Sequence, residues 1–61
     1  MNEIYEELLN HLVEEKLDYN DYKELAEKTN DESLKGMLET IANQEHDHYL
    51  MIKRYLANKM Q

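Results

Sequence analysis

Apolar residues recur in the first half of the chain at Ile4, Leu8, Leu12, Tyr19, Tyr22 and Ala26, the i, i+3, i+4, i+7 spacing of one helix face. The second half repeats the spacing at Leu34, Leu38, Ile41, Ala42, Tyr49, Ile52 and Leu56. Between the two stripes, Thr29-Asn30-Asp31-Glu32-Ser33 is the one polar break. Thr29 and Glu32 stand at capping-box distance, and Asn30 and Asp31 are alternative caps. The spacing predicts one helix over roughly 3–28 and a second over roughly 31–58. At 1.5 Å per residue each is about 40 Å long.

A chain that folds back near residue 30 pairs positions whose numbers sum to about 60. Ile4 then meets Leu56, Leu8 meets Ile52, Tyr19 meets Ile41, Tyr22 meets Leu38 and Ala26 meets Leu34, apolar against apolar in each layer. Two stripes on one hairpin still leave apolar surface uncovered, whereas four helices close a core. The expected fold is all-α: an antiparallel two-helix hairpin, a single domain over 1–61, that forms a homodimeric four-helix bundle about a twofold axis. Leu9, Val13, Leu17, Leu50 and Met51 lie off the stripes and are material for a further contact between dimers.

Composition strengthens the helical reading: there is no proline and one glycine, Gly36. A chain of 61 residues usually needs a disulfide, a metal or a partner for stability. The absence of cysteine closes the disulfide route, and with it thiolate zinc sites and iron–sulfur clusters. It fits a reducing, cytoplasmic setting. No apolar run is long enough for a membrane span and no basic-then-apolar leader opens the sequence. A net charge of −7 repels phosphate backbones, which argues against nucleic acid as a partner, and attracts cations.

The anomaly is Glu15, in mid-stripe among Leu8, Leu12, Tyr19 and Tyr22. Glu45 repeats it among Leu38, Ile41, Tyr49 and Ile52, at the same level of the hairpin, and His48 follows one turn later facing inward. An unpaired buried carboxylate costs several kcal/mol. A dimer brings four together, with no Lys or Arg in either stripe near that level. Protonation is one relief, since desolvation raises a carboxyl pKa. Cations are the other: four glutamates carry −4, and two divalent ions balance them. One Glu from each of two helices with Glu-x-x-His from each of the other two is the di-metal carboxylate arrangement of helical bundles. Carboxylate with imidazole suits iron or manganese.

The stretch Glu15-x6-Tyr22-x3-Ala26, followed by Gln44-Glu45-His46-Asp47-His48, resembles the rubrerythrin and ferritin-like superfamily over residues 8 to 56. The short chain, the single hairpin and the 30-residue separation of Glu15 from Glu45 are most similar to encapsulated ferritins. The resemblance implies a di-iron centre shared across a dimer interface, with ferroxidase activity serving iron storage or detoxification. Glu15, Glu45 and His48 would be both metal ligands and the residues of the reaction. It also implies an encapsulin-type shell as partner and a nanocompartment as location. Such proteins usually dock by a carboxy-terminal tail, whereas this sequence ends Lys59-Met60-Gln61. Rubrerythrins proper carry two Glu-x-x-His-type half-sites on one chain and a cysteine-ligated rubredoxin domain, and neither is here.

Rival readings stand beside this one. A rubrerythrin-type peroxide reductase needs a separate electron donor, and a non-catalytic hairpin would only store or sense metal, or bind another helix. The blandest reading is a dimer whose stripe acids are protonated or near water. Glu14 is expected to point to solvent, with a minor ion-access role alongside Asp18. His11 reads as a bundle-edge residue in reach of the metal's surroundings more than as a ligand, and His46 as exposed. Tyr19, Tyr22 and Tyr49 read first as core. A tyrosine beside a ligating carboxylate can also orient it, and Tyr22 is the first candidate. The four methionines read as packing or termini.

Overall fold

The computed structural model describes residues 3–59 as two helices, α1 (Glu3–Lys28) and α2 (Glu32–Lys59), folded into an antiparallel hairpin of 45 × 15 × 13 Å. Met1, Met60 and Gln61 lie outside the described residues, and so do the expectations placed on them. α1 has Glu3 and Glu6 in its first turn and Lys28 in its last, and α2 has Glu32 and Lys59 likewise, charges that complement the helix dipole.

The turn is built on Asp31. Its Oδ1 accepts a hydrogen bond from the Leu34 amide at 3.0 Å, and its carbonyl accepts from the Lys35 amide at 2.8 Å. Of the caps weighed from the sequence, Asp31 is therefore the one used. The Thr29 hydroxyl instead accepts from the Asp31 amide at 3.1 Å, tightening the connection.

The inward faces follow a stricter rhythm than the sequence stripes. Tyr5, Leu8, Leu12, Glu15, Tyr19, Tyr22 and Ala26 on α1, with Lys35, Leu38, Ala42, Glu45, Tyr49, Ile52 and Leu56 on α2, are all buried or half-buried. Their alternating three- and four-residue steps are the 3.5-residue period of helices that wind round each other. Tyr5 replaces Ile4 and Lys35 replaces Leu34 in the seam, while Ile4 and Leu34 stand exposed. The 3.6-residue reading drifts by roughly 20° per heptad, enough to misplace both ends. The outermost layer is a Tyr5–Tyr55 edge contact with ring centroids 6.4 Å apart.

The fully buried core is small: Ala26, Leu38, Ala42 and Leu56. Ile4, Val13, Leu17, Leu25, Leu34, Met37, Met51 and Tyr55 remain exposed. Met37 thus does not pack inside the hairpin, and Met51 is exposed off the stripes, where the sequence places it. These side chains are apolar surface that the hairpin leaves uncovered.

The seam has two unlike edges. Along one, His46 lies against Tyr19 at 5.2 Å and stacks on Tyr49 at 6.2 Å. The Lys16 ammonium sits over both tyrosine rings, and Lys53 also sits over Tyr49. His46, expected to be exposed, is half-buried here, because the 3.5-residue period places it beside the seam. On the other edge, where His48 and Tyr55 stand, no ring or cation–π contact among the described residues lies beside the two acids of the seam, and there they approach solvent. No helix among the described residues is long and apolar enough to cross a membrane.

Candidate metal centre

Glu15 reaches the centre of the seam from α1 and Glu45 from α2, while His48, one turn after Glu45, stands at the uncovered edge. The His48 Nδ1 is 3.3 Å from Glu15 Oε2. In the tautomer with a proton on Nδ1, His48 donates to that carboxylate, and Nε2 keeps its lone pair. One ligand atom from each of the three residues lies within 4.8 Å of the other two. Together they form a group able to hold a metal ion.

The group is less enclosed than the sequence implies: the Glu15 side chain is 21% exposed and that of His48 is 55% exposed. Two helices cannot surround a seam that four would enclose. His48 therefore lies at the mouth of the site instead of pointing inward.

Electrostatics mark the same place. The Glu45 carboxyl is held above the ordinary carboxylate range of 4.5. The largest cause is hydrogen bonding with Glu15; desolvation, then the charges of Glu15 and Asp18, add to it, and His48 opposes it. Among the described residues, no buried side-chain oxygen or nitrogen lacks a hydrogen-bond partner. Partial exposure relieves the charge of the two acids.

The donor set fits a metal ion on its own chemistry. Two carboxylates and an imidazole, with no thiolate, suit a hard or borderline divalent cation. At metal–ligand distances of about 2.1 Å, two ligands on opposite sides of one ion lie about 4.2 Å apart. Small side-chain rotations therefore close the observed group around an ion.

The other expected residues are distributed around it. His11 does not join the group: its Nδ1 lies 3.8 Å from Glu14 Oε1, and both side chains are solvent-facing, as expected for Glu14. Tyr19 and Tyr49 lie one turn along from Glu15 and Glu45 but are engaged by His46 and the lysines of the covered edge. Tyr22 is half-buried in the seam, two turns beyond Glu15. The contact of His46 with Tyr19 and the influence of Asp18 on Glu45 were not foreseen. The 3.5-residue spacing of these residues from the seam is the signal that would have revealed them.

Compared with family models, with curated proteins and with solved structures, the chain matches none.

Proposed function

We propose that the chain is a ferritin-like ferroxidase whose site is completed by a homodimer: two copies of Glu15, Glu45 and His48 hold a pair of iron ions inside a four-helix bundle. The observation that carries this reading is the meeting of two seam carboxylates and an imidazole within 4.8 Å. The resemblance of Glu15-x6-Tyr22 and Glu45-x-x-His48 to rubrerythrin-like and encapsulated ferritins supports the same reading. So does the apolar surface that the hairpin leaves exposed.

Ferrous ions are the substrate. With dioxygen as oxidant the balanced reaction takes two Fe(II), one dioxygen and two protons to two Fe(III) and one hydrogen peroxide. A bound ion pair supplies the two electrons together. Glu15 and Glu45 neutralise and position the ions. His48 contributes a nitrogen ligand from the solvent side, so the ions arrive past it. Tyr22 orients the Glu15 carboxylate. Manganese fits the same ligands, and a protein shell or a larger assembly of dimers fits the remaining apolar surface.

Aerobic addition of ferrous iron tests the proposal. Rapid oxidation at two irons per dimer is expected. Turnover only with peroxide and an added reductant would favour peroxide reduction, and no iron-dependent signal would favour a non-catalytic helical module.

A further inference from the structure

Asp18 follows Glu15 by three residues on α1, the spacing at which helical side chains become neighbours. Recurring at heptad distance from His11 and Leu25, it flanks the seam on the uncovered side, where His48 stands. It is exposed. Glu14, the other acid beside Glu15, faces His11 at 3.8 Å.

We infer that Asp18 is an outer carboxylate of the metal centre, which acts on a bound ion through its charge and makes the site prefer trivalent over divalent cations. The inference rests on the metal-binding reading of Glu15, Glu45 and His48. Charge arithmetic gives its sense. In a paired site four glutamates balance two divalent ions, and two trivalent ions exceed them by two charges. Two copies of Asp18 supply those two. Because Asp18 is solvated, it carries no desolvation cost when the ions are divalent or absent. The site thus tolerates the product of iron oxidation without losing its fit to the substrate.

The test titrates the whole chain and its Asp18→Asn variant with Mn²⁺, followed by electron paramagnetic resonance, and with Tb³⁺, followed by tyrosine-sensitised luminescence. The extra charge on terbium should make its affinity fall by about three- to tenfold more than that of manganese. Asp18→Glu, which keeps the charge, should restore the wild-type ratio. Equal losses for the two ions, or no loss, overturn the role of Asp18 while leaving the metal site standing. Failure of the wild type to bind either ion overturns the site itself and the inference with it. Asp18 is exposed and lies near other carboxylates, so the metal-free variant should melt no lower than the wild type, and a lowered melting temperature would count against a purely electrostatic role.

Discussion

The His48 Nδ1 lies 3.3 Å from Glu15 Oε2, joining residues 33 positions apart. With Glu45 one turn before His48, this contact brings two acids and an imidazole to one point of the seam. Each acid occupies a position that a leucine or tyrosine fills elsewhere in its row. Such a substitution weakens the metal-free fold, and under the proposed function a bound cation would offset that loss.

That cost has a pH signature. In the metal-free hairpin Glu45 holds its proton to higher pH than it does in the unfolded chain. Stability is thus fully present below 4.5 and is lost as the pH rises through the raised native value. Glu24 has the opposite sign. Its hydrogen bond and ion pair with Lys28 lower its pKa, so its small contribution is present above 4.5 and lost as the pH falls through the lowered value. Comparison with Glu45→Gln isolates Glu45. Chelated Glu45→Gln should melt higher than chelated wild type at pH 7, with the difference shrinking below 4.5. A variant that melts lower at pH 7 would show that the charged carboxylate is stabilising.

Two helix positions give independent tests of the hairpin. Asp31→Ala removes the cap on α2 and should cost about 1 kcal/mol in urea unfolding. Gly36→Ala should add about 0.5–1 kcal/mol, because a Cβ there meets nothing within 4 Å and α2 gains helix propensity. If Gly36→Ala destabilised the protein instead, another chain would have to cover that surface.

Much of this hairpin is legible in the sequence. Both helices were expected almost to the residue, because the polar run from Thr29 to Ser33 is the one interruption in helix-forming composition. Glu15, Glu45 and His48 stood out because acids in an apolar stripe need an explanation. What escaped was phase. A 3.6-residue stripe put Ile4 and Leu34 inside and His46 outside, whereas the helices keep a 3.5-residue period that exchanges them. The exposure of His48 escaped for another reason: the reading assumed four helices around the site, and the hairpin supplies two.

Metal should drive assembly as well as stability. Pairing two hairpins through the site brings four glutamates together, and ions that bind only the folded, paired state shift both equilibria. With free metal at 100 times its Kd, the gain is about 2.7 kcal/mol. Chelation should accordingly lower the melting temperature and move the population from dimer toward monomer in analytical ultracentrifugation. An unchanged melting curve and sedimentation profile would contradict a site between subunits.

Tyr22 should act through Glu15. Removing the groups that orient a metal ligand typically costs 10- to 100-fold in affinity, so Tyr22→Phe should weaken Mn²⁺ binding by about tenfold with little change in metal-free stability. Unchanged Mn²⁺ affinity would leave Tyr22 as a packing residue alone.

The most direct measurement is native mass spectrometry with elemental analysis after loading with ferrous or manganous ion. The account predicts a dimer carrying two ions, and their loss in Glu15→Ala and in Glu45→Ala. A protein that emerges free of metal, or variants that keep two ions per dimer, would contradict it.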